Sequence, residues 1–234
     1  MRAEVDPEVA AAAADPLPLT AVTLFNPQAG YATYVLPAAF VLILQQTLFM
    51  GIGLLATSKD EASTLERGLP VGAAATILGK ALAYLTLHAV LLPFYLIALP
   101  YLYGLPRVGD VTTILIFAVP FVLAVSLLGL TVTKLMRTPE TVQLAFVALG
   151  LPLFFLSGAS WPTVAIPRPI ALAAGFVPST AAIDGFVRIT QMGATIVDVR
   201  SQFLTLWALA LLYGTAAIYL ESSRRLRLSS AQRS

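Results

Sequence analysis

Residues Thr112–Val132 read TTILIFAVPFVLAVSLLGLTV, 21 residues without one charged side chain. A hydrocarbon core about 30 Å thick takes about 20 residues of helix, at about 1.5 Å each. The stretch is therefore long enough to cross a bilayer. In lipid it must do so as a helix, because only a helix pairs every backbone N–H and C=O within one segment. Outward from it lie four more apolar runs of similar length: Tyr34–Ala56, Ile77–Leu99, Val142–Ser160 and Phe203–Leu220. None shows the ten-residue polar and apolar alternation of an outer-membrane barrel strand. The expected fold class is all-α, a polytopic integral membrane protein of five transmembrane helices with short helices between them. Pro37, Pro93, Pro120 and Pro152 fall inside the first four spans and are expected to kink them.

The composition agrees: 58% of the residues are hydrophobic and 11% charged, against about a quarter charged in soluble domains. The chain has no cysteine, which excludes disulfides and thiolate metal sites. Its single histidine, His88, excludes paired-histidine metal motifs. Gly79-Lys80 resembles the end of a phosphate-binding loop, but Ala74 holds the earlier glycine position and Ala81 the Ser/Thr position. Leu156-Ser157-Gly158-Ala159-Ser160 offers serines, yet only His88 could act as a base for an intramembrane protease. No catalytic residue, metal, cofactor or nucleic-acid partner is expected.

Three regions follow. Residues 1–33 form an acidic tail with Glu4, Asp6, Glu8 and Asp15; 34–220 hold the spans; 221–234 form a basic tail. The first region lacks the basic start and apolar core of a signal peptide. Within it Leu19–Phe25 alternates weakly, as a terminal strand would, before the turn-prone Asn26-Pro27. Lys59 and Arg67, then Lys134 and Arg137, then Arg224, Arg225, Arg227 and Arg233 fall in alternate loops and the C-terminal tail. By the excess of basic residues on the cytoplasmic side, these segments face inward and the N-terminus faces outward. The setting expected is the bacterial inner membrane.

Few polar residues interrupt the spans. Gln45 and Gln46 lie in the first, as interhelical hydrogen-bonders or as the lining of a solute pathway or a dimer contact. Lys80 in the second is placed to snorkel to the surface. His88 has no acidic partner within reach in sequence and reads as a structural hydrogen-bonder. No span, so bounded, contains Asp or Glu, which counts against a proton- or sodium-coupled carrier. A helical scaffold or insertase without a pathway is the other alternative.

Two loops carry helices. Ser58-Lys59-Asp60-Glu61 is a capping-box pattern, and Gly68 with Pro70 ends the helix it starts, Lys59–Arg67. At about 13 Å so short a helix needs something to dock on. In the long loop before the last span, Ser179 or Thr180 is expected to cap a helix reaching Met192, with Gly193 as its stop. Asp184, Arg188 and Gln191 share one face and Ile183, Phe186 and Val187 the other, so an amphipathic helix on the outer membrane surface is expected. Trp161 fits an interfacial anchor.

Four stretches carry a family resemblance: FNPQAGYATYVLPAAFVLILQQTLFMGIGLL from Phe25, ILGKALAY from Ile77, PLFFLSGASWP from Pro152 and VPSTAAIDGFVRITQMGA from Val177. Together with the order of spans over about Leu24–Leu220, they resemble permease subunits of type 2 ATP-binding-cassette (ABC) exporters. The resemblance implies a pathway formed with a second permease protomer, as a homo- or heterodimer, above a separate ABC ATP-binding subunit. It places Lys59, Glu61, Ala62, Leu65, Glu66 and Arg67 where the family has its coupling helix, and Ser160–Gln202 where it has short outer helices. Such permeases usually have six spans, many with a large extracytoplasmic domain after the first. Here the first span is missing and Met1–Asn26 resembles only the end of that domain. A fragment or truncated product is therefore the expectation, favoured by the unpaired strand, or else a chain whose N-terminus is translocated unaided.

Overall fold

Apolar runs with good helix formers propagate without interruption in a medium that offers the backbone no other partner. The computed structural model of the chain describes residues 31–57, 71–105, 108–136, 139–156 and 166–231. Its helices are α1 (Tyr31–Thr57), α2 (Ala73–Pro93), α3 (Leu99–Leu102), α4 (Val111–Leu135), α5 (Pro139–Leu156), α6 (Arg168–Gly175), α7 (Pro178–Met192) and α8 (Arg200–Ala231). No strand occurs among the described residues. The expected strand Leu19–Phe25, the helix Lys59–Arg67 and Trp161 lie outside them.

Four stretches are long and apolar enough to cross a membrane: Val35–Leu55, Ala73–Leu102, Val111–Leu135 and Arg200–Leu226. The span expected at Val142–Ser160 is the shorter apolar helix α5, whose described part ends at Leu156. The pair α6 and α7 passes the same test together but is bent by 85°. Helices α1, α4 and α5 continue through Pro37, Pro120 and Pro152 without a break in helix. Only Pro93 coincides with a change, a π-helical turn at Phe94–Ala98 that joins α2 to α3. A proline frees one carbonyl in the ladder, and the wider turn absorbs the mismatch.

Helix α4 is the hub, packed against α1, α2, α7 and α8. Asp110 starts it by accepting the Thr113 N–H at 3.1 Å. Its buried residues, among them Phe117, Phe121, Val125 and Gly129, lie all round its axis rather than along one stripe. Cross-contacts fix the directions. Gly129 of α4 faces Ile52 of α1, and Lys134 of α4 meets Glu221 of α8, so α1, α4 and α8 run the same way. Gln46 of α1 meets Phe146 of α5, and Thr76 of α2 meets Arg225 of α8, so α2 and α5 run back. The end of α1, the start of α2, the end of α4, the start of α5 and the end of α8 thus share one end of the bundle, called here the Glu221 end. The opposite end holds Asp110 and the start of α1.

Helix α8 continues past Leu220 to Ala231, so Arg224, Arg225 and Arg227 stand on its last turns.

Candidate functional site

The polar residues inside the bundle gather at two levels. Midway along α1, Gln45 is fully buried and its Oε1 accepts the backbone N–H of Ser179 at 3.1 Å. Ser179 is the second residue of α7, so this side chain satisfies an amide that the helix start leaves open. The expected cap is therefore corrected. Val177 is the N-cap, with no side-chain cap of its own, and Pro178 opens the helix. Thr180 Oγ1 donates instead to Ala174 O at 2.7 Å. A local sequence pattern cannot reveal a cap supplied from 134 residues away. Tyr213 of α8 donates its hydroxyl to Phe176 O, holding the break between α6 and α7 from the other side. His88 is also buried, with Nδ1 3.2 Å from Tyr84 O in its own helix. Among the described residues Gln45 Nε2, Ser179 Oγ and His88 Nε2 are buried without a partner.

Helix α7 ends where expected, at Gly193 with φ of +67°, and it is amphipathic as expected. Its position is different. The C-terminal end meets the start of α4, where Val108 N–H donates to Thr190 O at 2.9 Å and Gly109 packs on Ile189 O. The N-terminal end meets Gln45, about 21 Å further along the bundle at 1.5 Å per residue, and α7 itself is about 22 Å long. It therefore stands along the bundle, inserted between α1, α4 and α8, instead of lying flat on a surface. An apolar stripe serves either placement, which is why periodicity did not separate them. Asp184 and Arg188 pair at 2.8 Å on the face turned away from the core. Gln202 of α8 donates to Asp184, so that face is tied to the next helix. Gln191 joins Phe186 and Thr190 in a crevice against Pro37 and Leu96, with room for one water at ≈ 10 Å³. In the turn before α8, hydrogen bonds from the Thr195 hydroxyl and amide hold the Asp198 carboxyl below its ordinary pKa.

We predict that Gln45→Leu destabilises the chain by about 1–2 kcal/mol, the usual worth of a helix cap. It should also speed hydrogen exchange at the Ser179 amide more than at Phe186. Equal exchange at both sites would show that the cap does not hold α7.

At the Glu221 end lies a second cluster, absent from the sequence reading. Glu221 is ion-paired with Lys134 of α4 and, at 2.9 Å, with Arg225 one turn further along α8. The Lys134 and Glu221 side chains are only 13% and 12% exposed. Arg225 then reaches across to α2, donating through Nη1 to Val71 O at 2.5 Å and through Nη2 to Thr76 Oγ1 at 2.9 Å. Val71 is the first described residue after 58–70. One guanidinium thus fixes Val71 and the start of α2 to α8, and through Glu221 to α4. The earlier boundary at Leu220 hid this carboxylate. Its signal was the spacing Glu221 to Arg225, four residues apart on an extended helix.

Residues 3–219 match a family model described as ABC-2 family transporter protein. The chain belongs to the ABC-2 family. Neither a curated protein nor a solved structure matches it. As an ABC-2 permease it is a multi-pass membrane component of a transporter, and membership implies association with an ATP-binding subunit. In this ABC-2 permease Gln46 donates to Phe146 O of α5 at 2.7 Å, so both glutamines have partners on other helices of the same chain. Gln45 and His88 are buried inside the bundle, His88 close to the backbone of Leu44, whereas the Asp184 side chain is half exposed and paired with Arg188. Among the described residues no three His, Asp or Glu side chains converge on a common point.

Proposed function

We propose that the chain is half of an ATP-driven exporter. A second permease protomer completes the pathway, and a separate ATPase docks on residues 59–67 at the Glu221 end. The family match is the observation that carries this reading, and the Arg225 contact to Val71 supports the docking site. A loop anchored at its exit to two long helices has a mechanical route into the bundle. An ion-coupled carrier fits less well. Glu221 is the one carboxylate in the four long helices, and it is committed to Lys134 and Arg225.

The basic residues of the alternate loops put the Glu221 end in the cytoplasm and the N-terminus outside, in the bacterial inner membrane. With α7 inserted from the opposite end, its break at Phe176-Val177 sits near mid-membrane, as a re-entrant element. The solute would be amphiphilic or hydrophobic.

Leu65→Asp and Glu66→Arg test the docking site. Leu65→Asp would place a charge in the contact, at a cost of several kcal/mol unless the subunits separate. Recovery of the co-expressed ATPase with the purified permease should fall at least tenfold, which is about 1.4 kcal/mol, while the permease still inserts. Full recovery with both variants would make 59–67 an ordinary connector.

A further inference from the structure

Gln46, Phe49 and Gly53 of α1 have the same spacing as Gln143, Phe146 and Gly150 of α5. The two octets are QTLFMGIG from Gln46 and QLAFVALG from Gln143: a glutamine, a phenylalanine three residues on and a glycine seven on. Three and seven residues return to one helix face, so each octet presents all three side chains to the same neighbour. That neighbour is the other octet. Gln46 Nε2 donates to Phe146 O at 2.7 Å, and Gln143 Nε2 donates to Met50 O at 3.2 Å. Phe49 and Phe146 stack with centroids 4.4 Å apart and planes 11° from parallel. Each glycine makes room for the opposite glutamine. A Cβ on Gly150 would lie 2.6 Å from Gln46 Nε2, and one on Gly53 would lie 2.8 Å from Gln143 Nε2. The arrangement has an approximate two-fold axis between the rings.

Its place in the bundle gives it a task. Gly53 stands four residues before the end of α1, and Gln143 four residues after the start of α5. Both therefore lie toward the Glu221 end. In sequence, residues 58–70 connect α1 to Val71, which the Arg225 network binds to α8, α4 and α2. So the loop starts in one cross-linked set of helices and finishes in another. Between the sets, α1 meets α4 through apolar contacts, Ile52 and the edge of Phe49 on Gly129, meets α2 where His88 reaches the Leu44 backbone, and meets α7 through the Gln45 hydrogen bond. Side-chain hydrogen bonds between helices have little competition from solvent in lipid, and glycine lets backbones approach.

We propose that the glutamine–phenylalanine–glycine clasp joins α1 and α5 into one rigid body, which shifts as a unit against the ion-paired body of α2, α4 and α8. The seam between the two bodies is where the permease deforms when 58–70 is displaced. This last step rests on the reading of that loop as the ATPase docking site; the clasp itself does not.

Spin labels test it on a chain with no native cysteine. Ile43, Leu144 and Leu135 are exposed positions on α1, α5 and α4. In the complex with its ATPase, the Ile43–Leu144 distance should be the same without nucleotide and with ATP trapped. The Ile43–Leu135 distance should change by about 2–5 Å, the scale of helix shifts in switching proteins. An Ile43–Leu144 change as large as that across the seam would overturn the proposal. In the isolated permease, Gln46→Leu with Gln143→Leu should broaden the Ile43–Leu144 distribution, and an unchanged width would overturn the clasp whether or not any ATPase binds. Gly150→Ala, which displaces only Gln46 Nε2, gives the same readout should the double variant not assemble. Loss of ATPase binding in the unsubstituted protein would defeat the docking site alone. In a complex that still assembles, opening the clasp should lower permease-stimulated ATP hydrolysis by about 2- to 30-fold, the range for residues that carry coupling.

Discussion

Glu221→Ala should destabilise the permease by about 3 kcal/mol, measured as resistance to unfolding in detergent. The carboxylate is shared by Lys134 and Arg225, and removing it leaves two cations with mostly buried side chains. Breaking one partner of a buried pair costs about 3–5 kcal/mol, because the remaining charge stays desolvated. The lower end applies here, since the cluster sits at the end of the bundle where Lys134 can turn toward water. Arg225 keeps its contacts to Val71 O and Thr76, so the loss falls mainly on the α4–α8 link. The double substitution Lys134→Met with Glu221→Met should recover more than half of the loss, as replacement of an ion pair by apolar groups is often neutral. A Glu221→Ala change within about 0.5 kcal/mol of zero would show a solvated surface pair instead.

The spans were legible because their signal is one of amount. The 21 uncharged residues Thr112–Val132 need no knowledge of a partner to be placed in lipid. Basic residues such as Lys134 and Arg225, which recur at every second connection, meet at one end of the bundle. What the pattern could not supply was who touches whom. Gln45 caps Ser179 across the bundle, and nothing near either residue marks the pairing. The same limit hid the network at Glu221, since ending the last span at Leu220 discarded the carboxylate that binds three helices together. The stripe on α7 was read correctly as amphipathic but assigned to a surface. An apolar face says that something covers it, and here that cover is α4 and α1. The paired octets were present in the sequence throughout. Their meaning depends on α1 and α5 being antiparallel neighbours, which only the fold supplies.

Gly185→Val should be among the most damaging single substitutions in the bundle, costing about 3 kcal/mol or more. A Cβ on Gly185 would lie 2.1 Å from Phe117 Cζ, 2.7 Å from Cε1 and 2.9 Å from Cε2, so the whole edge of the ring blocks it. The ring has nowhere to go. Phe186 closes one side edge-on with centroids 5.0 Å apart, Phe203 lies 6.2 Å away, and Phe117 is fully buried. Overpacking a tight core costs about 1–3 kcal/mol, occasionally more, and a branched side chain at this distance lies at the top of that range. Even Gly185→Ala should be unfavourable, although alanine in a helix interior gains about 1 kcal/mol over glycine. Gly79→Ala separates the two effects. Nothing lies within 4 Å of a Cβ at Gly79, so there the propensity gain should appear alone, as neutral or slightly higher stability. Phe117→Leu removes the atoms that Gly185→Ala would strike, so the double variant should be more stable than Gly185→Ala alone. With α7 pushed off α4, the Gln45–Ser179 bond should open too, visible as faster exchange at the Ser179 amide. If Gly185→Val matched the unsubstituted protein in both stability and exchange, α7 would not be seated against Phe117, and the re-entrant reading would fall with it.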